Sequence, residues 1–154
     1  PPPEPSPARA ADVAPIDQLT RLVYHSRIVD LGGGGLPELL RGARERNGRR
    51  GLTGALLVDR DVALQCLEGS RDLVTATFLR IAADPRHTAV TLMSVTDIDE
   101  RDFPDWTMGY VSATREVREA LERVAAVSAF TPQAMSAESA VALMSALRAE
   151  HWTA

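Results

Sequence analysis

The chain has 154 residues, 45% apolar and 25% charged, enough for one ordinary domain with its own hydrophobic core and too few for a two-domain enzyme. Its 17 basic residues are all arginine and face 21 acidic ones. The resulting net charge of -4 lacks the basic footprint of phosphate-backbone binding and argues against nucleic acid or an anionic membrane as main partner. With no lysine, Schiff-base and P-loop-lysine chemistry are excluded, and with one cysteine, Cys66, there is neither an internal disulfide nor a metal-ligand pattern. No apolar run approaches the ~20 residues of a membrane span, and no signal peptide is recognisable, so a cytoplasmic protein is expected.

Prolines at positions 1, 2, 3, 5, 7 and 15 make residues 1–17 a polyproline-like tail outside the fold. From Gln18 to Ile28, Leu22, Tyr24 and Ser26 alternate with their neighbours at period two, which predicts a strand. Asp30 to Gly35 breaks it. Gly32 to Gly35 resemble a phosphate-cradling loop only superficially, since neither a GK[ST] ending nor the GxGxxG spacing is present. Leu36, Leu39, Leu40 and Ala43 predict a helix to Arg46, stopped by Asn47-Gly48. Leu52 to Asp59 and Val62 to Glu68 form a hairpin around Arg60-Asp61. Ser70 caps a second helix that runs to Ala83 and ends at Asp84-Pro85. Ala89 to Ile98 and Trp106 to Ser112 read as strands. The order βαββαββ predicts an α+β, ferredoxin-like sheet with both helices on one face. Two amphipathic helices, Ser112 to Val127 and Pro132 to Glu150, are expected either to cap the other face or to dimerise.

Residues two apart in a strand share a face, so Tyr24 accompanies Leu22, Gln65 accompanies Ala63 and Leu67, and Trp106 accompanies Met108. A phenol, a glutamine amide and an indole thus turn toward a layer that should be apolar, where each polar group needs a partner. Either they satisfy one another, or they form a site for a flat heteroaromatic ligand. Cys66 points away from Gln65. His25, His87 and His151 are scattered, and Asp97, Asp99 and Glu100 read as a solvated connection. Glu68 reads as a strand-end residue, and no catalytic triad is visible.

Several stretches in order resemble the BLUF domain, a flavin-binding blue-light sensor, over residues 18–112: Leu22 to Ser26, Ala43 to Asn47, Gly51 to Leu57, Leu64 to Gly69, Ile81 to His87 and Arg101 to Gly109. The resemblance implies a flavin, taken as FAD with FMN or riboflavin as alternatives, lying between the two helices. Tyr24, Ser26, Asn47, Gln65, Asp84, Arg86 and His87 would surround it. Tyr24 would give an electron and then a proton toward the excited flavin and leave Gln65 reoriented or tautomerised. The absorption would then be slightly red-shifted, and the signal would leave through Trp106 and Met108. Which of those two stands beside Gln65 stays open. Ala63 replaces a frequent large aromatic of the family and is expected to leave space over the flavin.

These features imply a photoreceptor rather than an enzyme, with residues 113–154 as a helical extension acting on a second copy or on a separate output protein. A flavin-free scaffold acting through oligomerisation is the rival reading, and a small flavin enzyme has the weakest case. No acid, base or substrate pocket beyond the flavin site can be named for it.

Overall fold

The structure is a computed structural model that describes residues 18–29, 35–112 and 130–151, with Arg115, Arg118, Glu119, Glu122 and Arg123. Its elements are β1 (Leu19–Ile28), α1 (Gly35–Arg50), β2 (Thr53–Asp59), β3 (Val62–Ser70), α2 (Arg71–Ala83), β4 (His87–Asp97), β5 (Gly109–Ser112), a 3-10 turn (Pro132–Ala134) and α3 (Ala137–His151). The strands lie in the order β4-β1-β3-β2-β5. β3 is antiparallel to both β1 and β2, β4 is antiparallel to β1, and β5 is parallel to β2. β1 and β2 are therefore parallel strands joined across α1, with β3 inserted between them, which is the ferredoxin-like α+β arrangement.

Strand alternation divides the core into two layers. Leu22, Tyr24, Leu56, Val58, Ala63 and Leu67 face Leu40 of α1 and Val74 of α2. Val23, Ala55, Leu57, Leu64, Cys66 and Val111 face the other way, against Phe103, Phe130 and α3. From α3 come Ala140, Leu143, Met144 and Leu147, the i, i+3, i+4, i+7 stripe of an amphipathic helix. α3 thus covers the face opposite α1 and α2. The tail over residues 1–17, the Gly32 to Gly34 stretch and most of the helix expected over Ser112 to Val127 lie outside the described residues. Of that helix the five described residues are helical, and Arg118 donates to Asp59 at the end of β2 (2.9 Å). No helix among the described residues is long and apolar enough to cross a membrane.

Several boundaries differ from expectation: β3 runs on to Ser70, α3 starts at Ala137 after the 3-10 turn instead of at Pro132, and three others bear on the site. α1 continues through Asn47-Gly48 to Arg50, because Asn47 is held in the helix by a tertiary hydrogen bond, and Gly51, at φ 75°, provides the stop. β4 begins at His87, whose side chain is buried against Ser26. β5 begins at Gly109 rather than Trp106, so the strand alternation expected to put Trp106 and Met108 on one face does not apply.

Candidate functional site

Gln65 lies on β3, paired across the sheet with Tyr24 of β1 and Leu56 of β2, and turns toward the helices. The Tyr24 hydroxyl donates to Gln65 Oε1, and Gln65 Nε2 donates to Met108 Sδ at 3.2 Å. One amide therefore joins a phenol to a thioether beneath the two helices. Tyr24 is fully buried, which pushes its ionisation well above the usual phenol range and keeps it a neutral donor at every physiological pH. Its ring packs on Phe78 of α2 (centroids 5.4 Å apart) and on His87 (6.4 Å). Ser26 Oγ is 3.1 Å from His87 Nδ1, and burial lowers the His87 pKa.

α1 fixes the position of Met108. Arg44 Nε donates to the Met108 carbonyl (2.9 Å) and Asn47 Nδ2 to the Thr107 carbonyl (2.6 Å). Trp106 goes to the opposite side of the sheet, where it stacks on Phe103 (5.8 Å, 20° between planes) and packs against the outer layer. It lies so close over Gly109 that a Cβ there would be 2.3 Å from its ring. Met108 is therefore the residue whose side chain Gln65 reaches, and the Trp106 ring packs on the other side of the sheet.

Above Gln65 and Met108 a cleft of about 630 Å³, including its open mouth, separates α1 from α2. Leu39 and Ala43 form one wall, Thr77 and Ile81 the other, and Leu56 and Leu67 complete the floor. Asn47, Asp84, Arg86 and His87 stand at its polar end, and Arg46 and Arg80 also line it. Arg86 forks onto Asp84 (Nη2 to Oδ2 2.7 Å), and its backbone N–H also donates there (2.9 Å), which brings the Asp84 pKa down to about 2.

Among the residues expected around a ligand, Asn47, Gln65, Asp84, Arg86 and His87 line this cleft together with Met108. Tyr24 and Ser26 do not line it: they sit behind Gln65 and His87. Ala63 is buried in the inner layer and does not line the cleft, so the space expected over a ligand at that position is absent. The donor set suits a flat heteroaromatic ring: apolar walls, an amide on the floor, and an amide with an ion-paired carboxylate at one edge. A flavin is such a ring, and the residues present fit it. Among the described residues no cluster of His, Cys, Asp or Glu could hold a metal ion.

Sequence reasoning missed two features. Thr77 of α2 is buried and lines the cleft, where its hydroxyl adds a polar group to the wall. Glu68, fully buried, is more than a strand-end residue. It accepts from Arg21 (Nη2 2.9 Å) and from the backbone N–H groups of Asp102 (3.0 Å) and Phe103 (2.8 Å). Arg101 adds bonds to Thr53 Oγ1 (2.7 Å) and to the Glu68 and Gly51 carbonyls. The segment leading to Met108 is thus anchored to the sheet at its start. A carboxylate on the Leu64–Cys66 face of a central strand was the available signal, because such a position demands partners.

Residues 19–109 match the family described as sensors of blue-light using FAD, BLUF. The chain belongs to that family of flavin-binding blue-light sensors. It is 39% identical over 101 residues to the photoactivated adenylate cyclase subunit beta of Euglena gracilis, across 64% of this chain and 12% of that protein. Only about an eighth of that curated relative is spanned. Among solved structures, BlsA in its photo-activated state superposes with a TM-score of 0.79 at 25% identity, covering 88% of this chain and 99% of the other. The dark-state BLUF protein BlrB gives 0.69 at 32% identity, covering 84% and 94%. A bacterial light-regulated adenylyl cyclase gives 0.62 at 26% identity, covering 70% of this chain and 33% of that one.

Proposed function

We propose that this chain senses blue light through a flavin held between α1 and α2, with Tyr24, Gln65 and Met108 as the element that changes state. The observation that carries this reading is the chain of hydrogen bonds from the Tyr24 hydroxyl through the Gln65 amide to Met108 Sδ, placed under the cleft. When bound, the flavin supplies a light-driven electron acceptor. Tyr24 is the electron and proton donor in reach, and Gln65 is the group through which the proton moves. A hydroxyl both donates and accepts, so Tyr24 satisfies the Gln65 amide with either its oxygen or its nitrogen turned inward. Turning the amide over keeps the Tyr24 bond but exchanges the nitrogen for the oxygen beside the Met108 sulfur, which accepts and cannot donate, so the two arrangements differ in energy, and interconverting them breaks buried hydrogen bonds, which makes the change slow to reverse.

Asn47, Asp84, Arg86 and His87 hold the polar edge of the ring system, and Ser26 orients His87. FAD is the flavin proposed. Residues 18–112 act as the sensing unit, and residues 113–154 carry its signal to a second copy or to a separate output protein.

The test is the visible absorption spectrum before and after blue light, for the parent chain and for Tyr24→Phe and Gln65→Leu. A flavin spectrum that shifts slightly to the red, recovers in darkness and loses the shift in both variants is expected. A protein that cannot be loaded with flavin, or a shift that survives in both, overturns the reading. A truncation at Ser112 that responds to light as the full chain does in every property but spectrum would remove residues 113–154 from the signalling path.

A further inference from the structure

The segment from Arg101 to Met108 passes from one core layer to the other. Phe103 packs in the layer against α3 and Met108 in the layer under α1 and α2, and between them the Trp106 carbonyl accepts from the Gly54 N–H of β2 (3.0 Å). β3 grips this strap at both ends. Gln65, on one face of the strand, reaches Met108 Sδ (3.2 Å), and Glu68, on the other face, holds the start of the strap. Each Glu68 oxygen is committed. Oε1 accepts from the Phe103 N–H (2.8 Å), while Oε2 accepts from the Asp102 N–H (3.0 Å) and from Arg21 (Nη2 2.9 Å, Nε 3.1 Å). Arg21 pairs in turn with the Asp102 carboxylate, and Arg101 donates to the Glu68 carbonyl (2.9 Å). Neutralising Arg21 would not require a fully buried carboxylate to hold two successive backbone N–H groups as well; that arrangement fixes the path of the strap.

We infer that Glu68 is a positioning residue of the switch: by fixing the start of the strap it sets how closely the Met108 sulfur is held against the Gln65 amide, and so how fast the light-induced arrangement returns. This rests on the flavin reading above and deepens it. The sulfur accepts and cannot donate, so it favours the arrangement with the amide nitrogen beside it and drives the return to that arrangement in darkness. A tight strap keeps the preference large. Glu68→Gln preserves the size of the side chain but offers one oxygen where two backbone N–H groups need acceptors, so the start of the strap loosens and the sulfur draws back. Losing one such hydrogen bond corresponds to about a three- to tenfold change, here a slower dark recovery.

The test is the dark recovery of the red shift after a blue-light pulse, together with the urea midpoint, for the FAD-loaded full chain and for Glu68→Gln, Met108→Leu and the double variant. Glu68→Gln is expected to keep the amplitude of the shift and to recover about three- to tenfold more slowly than the parent. In the Met108→Leu background it should add no further slowing, because the sulfur through which it acts is gone, although the urea midpoint falls as much in both backgrounds. Leu143→Ala, destabilised in the layer under α3 but remote from the strap's hydrogen bonds, should recover at the parent rate. An unchanged recovery in Glu68→Gln, or equal slowing in both backgrounds, overturns the inference. If Glu68→Gln does not fold, the partly exposed Arg101 carries the test, since it ties the same end of the strap to Thr53 Oγ1 (2.7 Å) and to the Glu68 carbonyl. Arg101→Gln should slow recovery about threefold, again only while Met108 is present, and a parent rate in that variant would count against the assignment. A parent chain that takes up no flavin or shows no red shift would sink the flavin reading and this inference with it, a result distinct from a shift whose recovery ignores Glu68.

Discussion

The two faces of one sheet are built from the same strands and differ in almost everything else. On β3, Leu64 and Cys66 point into a layer covered by Phe103, Phe130 and four apolar residues of α3, bordered by the buried Glu68 and by an opening against α3 rimmed by Arg21, Ser94, Thr96, Asp102 and Glu138. Gln65, between them in sequence, points into a layer where the helices stand apart over a polar chain of side chains. The closed face supplies cohesion. The open face leaves hydrogen bonds whose rearrangement does not disturb that cohesion, so one strand can be rigid and switchable at successive residues.

Damage to the closed face should be the most costly and the least specific. Leu143→Ala, at a fully buried position, is expected to lower stability by about 2–5 kcal/mol in urea unfolding, with the light-induced spectral shift unchanged in the molecules that remain folded. A shift lost along with stability would mean that the two faces are not independent. On the open face the expectation reverses. Tyr24→Phe leaves Gln65 Oε1 without its donor, costs about 1–2 kcal/mol, and abolishes the optical response.

Met108→Leu sharpens the comparison further. The volumes are similar, so the stability cost is below about 1.5 kcal/mol, but the amide loses its sulfur acceptor. Dark recovery should therefore change rate while the amplitude of the red shift persists. Identical recovery kinetics in the variant would deny Met108 any part in the switch. Trp106→Phe, on the closed side, should leave recovery close to that of the parent chain.

The smallest effects are those of pH, and they too belong to the open face. Burial holds the His87 pKa below its usual 6.5, so its contribution is complete above pH 6.5 and declines as acid forces the proton on. Asp84, at about 2 instead of 3.8, contributes fully above pH 3.8 and loses its contribution as the pH falls toward 2. Solvent screening of the Asp84–Arg86 pair limits that second loss to about 1 kcal/mol. Urea midpoints at pH 7, 5 and 3 should fall in these two steps, His87→Gln removing the first and Asp84→Asn the second.

Much of this architecture is legible in the sequence because alternation and helical stripes report burial directly. Leu22 and Tyr24 against Val23 assign the faces of β1 without a structure, and Ala140, Leu143, Met144 and Leu147 of α3 have the spacing of a helix with one buried side. The failures share a cause. Asn47-Gly48 looks like a helix stop because local propensity cannot include the Thr107 carbonyl that keeps Asn47 helical. Trp106 and Met108 look like strand partners on one face, but Trp106 precedes the strand, and its ring is taken by Phe103 and by the room over Gly109. The Glu68 anchor joins residues 34 and 35 positions apart, a distance over which periodicity carries no information.

The paired grip of Arg44 and Asn47 on the carbonyls of Met108 and Thr107 makes this loop mechanically part of α1 on one side, while on the other it runs straight into β5. β5 is a four-residue strand at the edge of the sheet, paired among the described residues with β2 in the parallel sense, the easiest strand to loosen. A pull on Met108 therefore meets a stiff anchor and a soft one, and the soft one yields. Illumination should register as faster amide exchange along β5, with β1 and β3 unmoved, turning the geometry of two side chains into a direction of force.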